Sequence, residues 1–208
     1  MSGHGEPGET AESRPLGVVL AGGAGRRIGG SKALVELNHR PLISYPLEAV
    51  WRALGNVTIV AKADTELPSV PGATVWIEPE EPRHPLTGIV HALSLADLRP
   101  VLICASDMPL VSAELVARLA AADAGGAPAV VASRQGELEP LLGCYRHAAL
   151  APLTAAMRDP TVRLRDAIAA LGPRRYEVED PEQLFNVNSP DDLLQVAAML
   201  DRQRPSRT

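Results

Sequence analysis

Short apolar runs alternate with longer amphipathic stretches along most of this chain. Six of the runs are predicted to form strands, at residues 16–20, 57–60, 74–77, 101–105, 129–132 and 141–145. Several of them are continuously apolar, which is typical of strands that are covered on both faces.

Helical periodicity separates the predicted strands. Four apolar residues with spacings of four, three and four positions define one helical face: Ile43, Leu47, Val50 and Leu54. Ser44 is predicted to cap that helix, which leaves Pro46 in the first turn, where proline is tolerated. Ser112 is expected to open a second helix. The run Ser-Pro-Asp-Asp at 189–192 is expected to open the last one, because it supplies a cap, a proline and first-turn acids.

Repeated alternation of strand and helix predicts a mostly parallel sheet with helices on both faces. The fold class is therefore α/β, a three-layer α/β/α sandwich with a Rossmann-like sheet. Residues 15–201 are expected to form a single domain, residues 1–14 a disordered tail and residues 202–208 a frayed end.

Composition excludes several classes of partner. The net charge of −5 argues against a nucleic-acid-binding protein, which normally carries a basic excess. No apolar stretch is long enough to span a membrane, and the first residues lack the apolar core of a signal peptide. Cys104 and Cys144 lie in apolar runs without a CxxC spacing, so they are interpreted as reduced thiols of a cytoplasmic protein.

A glycine-rich loop with three cations follows the first predicted strand. Residues 22–30 contain five glycines, and such a loop can direct its backbone N–H groups at an anion. Arg26, Arg27 and Lys32 add the positive charge that a polyphosphate requires. Ile28 occupies the third glycine position of a dinucleotide fingerprint, and Ser-Lys replaces the Lys-Ser order of a P-loop. The alternative is that the loop is only a flexible connector.

Asp107 follows the apolar run 101–105, at the end of a predicted central strand. Ligands of open α/β sheets bind beyond the carboxyl ends of the strands. A carboxylate there, opposite a phosphate-binding loop, suits Mg²⁺, which takes one or two carboxylates together with substrate phosphates. The alternative is that Asp107 only caps a turn before Pro109.

Asn186 and Asn188 alternate along a predicted extended segment, so their side chains are expected to share one face. They are interpreted as polar ligands at the same edge of the sheet. Asn188 also lies close to the start of the last helix, where it could be only a turn residue.

Taken together, these motifs resemble the MobA-like nucleotidyltransferases, and within them the enzymes that load guanylyl groups onto the molybdenum cofactor. The resemblance runs in order from residue 16 to residue 194. Its elements are Leu-Ala-Gly-Gly at 20–23, Arg-Ile-Gly at 27–29, Lys32, Pro-Leu-Thr-Gly at 85–88, Asp107 before Pro109, Glu-Pro-Leu at 139–141 and Asn-Val-Asn-Ser-Pro-Asp-Asp-Leu at 186–193.

The resemblance implies a nucleotide-diphospho-sugar transferase-like fold and transfer of GMP from GTP to the phosphate of molybdopterin, with Mg²⁺ and release of pyrophosphate. It assigns the nucleotide to Leu20, Ala21, Gly22, Gly23, Ala24 and Gly25. It assigns charge stabilisation to Arg27 and Lys32, and Mg²⁺ to Asp107. Asn186 and Asn188 would orient the acceptor or the metal. The pterin is expected near Arg83, His84, Arg163 and Arg165, although the last two could equally be solvated helix residues.

The chain also departs from the family pattern. Ser31 replaces an Asp before the Lys, Val60 or Ala61 replaces an Asn after the second strand, and Pro79 replaces an acid after the third. The Gly22-Gly23 pair favours guanine. The alternatives are a cytidylyltransferase, an enzyme for another phosphorylated acceptor such as a sugar or polyol phosphate, and a non-catalytic nucleotide-binding module. An NAD-dependent oxidoreductase is disfavoured because its glycine fingerprint is missing. Homo-oligomerisation stays open.

Overall fold

The computed structural model describes residues 14–21, 34–70, 72–82 and 84–203. Nine strands are present in these ranges: β1 Leu16–Leu20, β2 Glu36–Leu37, β3 Arg40–Pro41, β4 Thr58–Ala61, β5 Thr74–Ile77, β6 Val101–Ala105, β7 Ala129–Arg134, β8 Glu137–Tyr145 and β9 Arg174–Glu177. The described helices are α1 Ser44–Leu54, α2 Thr87–Leu95, α3 Ala113–Ala121, α4 Leu150–Ala156, α5 Leu164–Ala170 and α6 Pro190–Gln203. Two 3₁₀ turns lie at His147–Ala149 and Pro181–Leu184.

Seven strands form one sheet in the order β5-β4-β1-β6-β8-β7-β9. The pairs β4–β5, β1–β4, β1–β6 and β7–β9 are parallel, whereas β8 runs antiparallel to both of its neighbours. The prediction of a mostly parallel sheet is confirmed, and all six predicted strands are present.

Helices cover both faces of this sheet, which confirms the predicted three layers. One core cluster joins the sheet to α1 and α3, through residues such as Leu47, Val50 and Leu119. The other joins the opposite face to α2, α4 and α5, through residues such as Ile89, Leu153 and Ile168. Burial of an apolar stripe from each helix is the main stabilising contribution to this arrangement.

Three strands and part of a fourth were missed by the apolar pattern, each for a local reason. The edge strand β9 reads Arg-Arg-Tyr-Glu and has no apolar run, yet it pairs with β7. The two-residue strands β2 and β3 form a hairpin whose turn residues Asn38 and His39 both have positive φ. The first half of β8 is joined to β7 by a similar turn at Gln135 and Gly136. These hairpins depend on the backbone conformation of their turn residues more than on apolar side chains, so the apolar pattern did not reveal them.

Helix capping agrees with the prediction at two of three positions. Ser112 accepts a hydrogen bond from the N–H of Leu115, and Ser189 accepts one from the N–H of Asp192. The predicted cap at Ser44 is wrong, because Ile43 precedes the helix and Ser44 is its first residue. The Ser44 hydroxyl donates to the carbonyl of Pro41 instead, at 2.6 Å. Pro46 lies in the first turn as expected.

Cys104 and Cys144 are buried free thiols, as predicted, and the structure places them on neighbouring strands. Burial raises the pKa of both, that of Cys144 to about 11. A thiol that stays protonated at neutral pH is a poor nucleophile, so these cysteines serve packing. None of the helices in the described ranges combines the length and apolarity of a membrane span.

Candidate active site

Four parallel strands end side by side at one end of the sheet, and three of them are followed there by a charged residue. Beyond β1, β4, β5 and β6 the chain continues with Ala21, Lys62, Glu78 and Asp107 respectively. The N–H of Ala21 donates to Val60, and the N–H of Ser106 donates to Leu20. These bonds hold the end of β1 between its two neighbours, which is where the glycine-rich loop begins.

Most of that loop lies outside the described residues. Leu20 and Ala21 are placed, and both are buried. Gly22, Gly23, Ala24, Gly25, Arg27, Ser31 and Lys32 are not described, and neither is Arg83. Their roles in nucleotide binding and charge stabilisation stay predictions.

Asp107 is tied through its backbone to the asparagine motif, about 80 residues later in the chain. The carbonyl of Asp107 accepts a hydrogen bond from the N–H of Val187 at 2.9 Å. The Val187 side chain is fully buried in a third core cluster beneath this edge, which includes Leu110 and Val196 of α6. The structure therefore brings together the predicted metal ligand and the segment that carries Asn186 and Asn188.

The two asparagines flank Val187 and differ in their surroundings. The amide nitrogen of Asn186 lies 3.5 Å from Oε2 of Glu139 and 3.3 Å from the carbonyl of Leu184. Asn188 is exposed; its N–H donates to the Asp192 carboxylate at 2.8 Å, and its amide nitrogen donates to the carbonyl of Asn186 at 3.4 Å. Asn188 therefore belongs in part to the turn that starts α6, as expected if it were only a turn residue.

Glu139 is a functional candidate to which the sequence motif assigned no role. It lies near the start of β8, and the β6–β8 register pairs Cys104 with Leu142. Continuing that register by three residues sets Glu139 alongside Asp107. Burial raises the pKa of Glu139, and the nearby Asp107 charge raises it further. A hydrogen bond from the Leu141 backbone and the charge of Arg165 act in the opposite direction.

An ion pair occupies the ends of β4 and β5. Nζ of Lys62 lies 3.2 Å from Oε1 of Glu78, and the Glu78 side chain is only 8% exposed. Glu78 follows the third predicted strand directly, one position before Pro79, and its N–H donates to the carbonyl of Ala61. His91 of α2 lies near Glu78. Burial lowers the pKa of His91, and the Glu78 charge opposes that shift.

The fold brings His84 against the start of α5, the part of the chain that carries Arg163 and Arg165. His84 is buried, and both ring nitrogens have backbone partners: Nδ1 accepts from Leu86, and Nε2 lies 2.9 Å from the carbonyl of Val162. His84 therefore joins two loops. Arg163 precedes α5 and is exposed. Arg165 is also exposed and forms a 2.8 Å ion pair with Glu137.

The donor set at this edge suits a hard divalent cation. Asp107, Glu139 and the asparagine amides offer oxygen ligands, which Mg²⁺ prefers. No group of three or more His, Cys, Asp or Glu side chains among the described residues could hold a metal ion by itself. Such a site would depend on substrate phosphates to complete the coordination of Mg²⁺.

Comparison with known proteins agrees with this architecture. A model of the MobA-like NTP transferase domain matches residues 17–175. A probable molybdenum cofactor guanylyltransferase of Chloroflexus aggregans is 33% identical, over 88% of this chain and 94% of that protein. The molybdenum cofactor guanylyltransferase of Rhizobium johnstonii is 32% identical, over 93% of this chain and 96% of that protein.

Solved structures share the fold. The molybdopterin-guanine dinucleotide biosynthesis protein A of Archaeoglobus fulgidus superposes with a TM-score of 0.69 and 23% identity, over 90% of this chain and 99% of that one. The 2-C-methyl-D-erythritol 4-phosphate cytidylyltransferase of Thermus thermophilus gives a TM-score of 0.64 and 23% identity, with the same coverage.

Proposed function

Since the chain belongs to the MobA-like NTP transferase family, we propose that it transfers GMP from GTP to the phosphate of molybdopterin and releases pyrophosphate. Membership of this family makes it a nucleotidyltransferase, so the alternative of a non-catalytic binding module is set aside. The relatives at 32–33% identity that carry the name molybdenum cofactor guanylyltransferase support this choice of acceptor and nucleotide.

One structural observation carries the proposal. The hydrogen bond between Val187 and Asp107 brings the end of β6 and the asparagine segment to the edge where β1 enters the glycine-rich loop. A triphosphate held by that loop would have Asp107 and Asn186 within the same region. Nucleotidyl transfer depends mainly on positioning and on neutralisation of charge, so this convergence is what the reaction requires.

The proposed reaction is a direct displacement. An oxygen of the acceptor phosphate attacks the α-phosphorus of GTP, and the bond from that phosphorus to the α,β-bridging oxygen breaks. The electron pair leaves with pyrophosphate, and no covalent enzyme intermediate forms. The backbone of residues 22–25 would bind the nucleotide, and Arg27 and Lys32 would stabilise charge on the leaving group. Arg163 would contribute to acceptor binding from the start of α5.

We include Mg²⁺ in the proposal, held by Asp107. When bound, Mg²⁺ would neutralise charge on the phosphates that react. The carboxylate of Glu139 lies close enough to Asp107 for their charges to interact, and the amide of Asn186 lies next to Glu139.

Guanine is the proposed base because Gly22-Gly23 follows the first strand. The two side chains that usually help to hold the nucleotide are replaced by Val60 or Ala61 and by Pro79. A base site lined by backbone groups still discriminates, since a buried donor or acceptor left unmatched costs about 1–3 kcal/mol. We therefore expect GTP to be preferred over CTP and ATP by roughly tenfold to hundredfold.

The test is kcat/KM for each triphosphate with molybdopterin as acceptor and Mg²⁺ present. A thermal-shift panel of GTP, CTP, ATP and UTP provides an independent measure, because a ligand that binds the folded state raises its apparent stability. A clear CTP preference would assign the chain to the cytidylyl branch. Absence of transfer to molybdopterin with every triphosphate would exclude the proposed acceptor.

A further inference from the structure

The amide group of Asn186 has only acceptors near its nitrogen. Nδ2 lies 3.5 Å from the Glu139 carboxylate oxygen and 3.3 Å from the Leu184 carbonyl oxygen. A rotated amide would set its oxygen against two oxygens, so this orientation is fixed by the neighbours. An amide nitrogen carries two hydrogens, and two acceptor oxygens lie within 3.5 Å of this one.

Glu139 is suited to fix this orientation because its own position is constrained. It is half-buried at the start of β8, and the backbone N–H of Leu141 donates to its carboxylate. Pro140 between them is buried and has a restricted φ. Arg165 lies nearby but forms its ion pair with Glu137. Among the described residues, no cation forms an ion pair with Glu139 that would turn its carboxylate away from Asn186. Its Oε2 therefore stays directed at Asn186.

We propose that Glu139 is a positioning residue, which holds the Asn186 side chain so that its oxygen, and not its N–H groups, faces the site of nucleotidyl transfer. The inference rests on the proposed function for the identity of that site. Oδ1 of Asn186 accepts no hydrogen bond from the residues that the structure describes.

This orientation decides what Asn186 can contact. Since its amide nitrogen already has two acceptors, the Asn186 side chain has no spare donor for an anionic acceptor phosphate. An amide oxygen is a ligand that suits a divalent cation, and the segment that carries Asn186 is bonded to the backbone of Asp107. The sequence leaves two roles open for Asn186, orienting the acceptor and orienting the metal. This orientation of the amide favours the second role, in which the oxygen of Asn186 contacts the metal.

The experiment is a titration of the full chain with Mn²⁺ in the presence of GTP, with free Mn²⁺ measured by electron paramagnetic resonance. The disrupting variant is Glu139→Met, which keeps the length of the side chain and removes the acceptor. Loss of one orienting hydrogen bond is expected to weaken Mn²⁺ binding by about fivefold. Asn186→Ala is expected to weaken it by at least as much, and Glu139→Met should add little in the Asn186→Ala background, because the two residues act as a unit.

Two further variants separate positioning from general damage. Glu139→Gln retains an acceptor oxygen and should recover most of the Mn²⁺ affinity. Glu137→Met removes an exposed carboxylate from the same strand, two residues away, and should leave the affinity unchanged. In steady-state assays, Glu139→Met should raise the Mg²⁺ concentration needed for half-maximal rate and leave KM for the acceptor within about twofold.

The proposal is overturned if Glu139→Met or Asn186→Ala binds Mn²⁺ as tightly as the wild type. It is also overturned if their effects add fully, since Glu139 would then act without Asn186. The Mn²⁺ titration needs no acceptor, so absence of transfer to molybdopterin would contradict the proposed function alone. Normal turnover by the wild type with unchanged Mn²⁺ binding by Glu139→Met would contradict the positioning role alone.

Discussion

The ammonium group of Lys62 lies 3.2 Å from Oε1 of Glu78, and this ion pair joins the carboxyl ends of two neighbouring strands. The Glu78 side chain is 8% exposed and that of Lys62 32%, so the acid is the more desolvated partner. Removal of the cation would leave a buried carboxylate without its partner, which costs more than loss of an exposed pair.

Lys62→Met is therefore expected to lower the free energy of unfolding by about 1–3 kcal/mol, less than for a fully buried pair because Lys62 is partly hydrated. Urea denaturation would measure the change. Arg52→Met is a matched control, since Arg52 pairs with Glu48 at 3.7 Å and both side chains are exposed. A larger loss of stability in the control would show that the Lys62–Glu78 pair is not the stabilising one.

Asp107→Asn should abolish nucleotidyl transfer and leave the melting temperature nearly unchanged. The substitution keeps the shape of the side chain and the backbone bond from Val187, and removes the charge that is proposed to hold Mg²⁺. Loss of a catalytic metal ligand lowers the rate by on the order of a hundredfold or more. Asp123→Asn is the control and should retain full activity, because Asp123 pairs with Arg174 at the start of β9, away from Asp107. A rate for Asp107→Asn within a few-fold of the wild type would exclude the metal role.

Gly143→Ala should destabilise the fold more than Gly88→Ala. A Cβ at Gly143 would lie 2.8 Å from the Val130 carbonyl oxygen and 3.1 Å from the Val131 Cα, both in the backbone of β7. A Cβ at Gly88 would meet side chains, Glu78 at 3.0 Å and Leu20 at 3.2 Å. Side chains move more easily than a paired strand, so we expect a loss of about 1–3 kcal/mol at Gly143 and a smaller one at Gly88. Equal unfolding midpoints in urea would contradict this ranking.

Glu177 should stabilise the fold in a pH-dependent manner. A hydrogen bond from Ser133 and a second from the Gln135 backbone hold the pKa of Glu177 below its ordinary value. A folded-state pKa below the unfolded one gives a contribution that is complete above the unfolded pKa and is lost as the pH falls through the folded pKa. Glu177→Gln should therefore melt below the wild type at pH 7, and the difference should shrink below about pH 4.3. Glu179→Gln, an exposed neighbour, is the control, and a difference independent of pH would contradict the assignment.

The sequence predicted the strands that contain a run of apolar or β-branched residues. The strands 16–20, 74–77 and 101–105 have the same bounds in the structure as in the prediction. The first and third are buried apolar runs inside the sheet, and the exposed edge strand 74–77 consists of β-branched and aromatic residues. The caps at Ser112 and Ser189 follow from local chemistry and were also predicted. The polar strand β9 and the hairpin at Asn38 carry no such signal, since pairing at a sheet edge and positive φ in a turn do not require apolar residues.

For the site, the sequence determined which residue types follow each strand, and only the tertiary structure decided which of them meet. Asp107 could be assigned from its position after an apolar strand. The bond that joins it to Val187, the pairing of Lys62 with Glu78 and the contact between Glu139 and Asn186 span long stretches of chain. Such contacts are set by sheet order, and β8 lies beside β6 although β7 precedes it in the chain. Strand order and register depend on the packing of the whole core, so no local pattern could place Glu139 against Asn186.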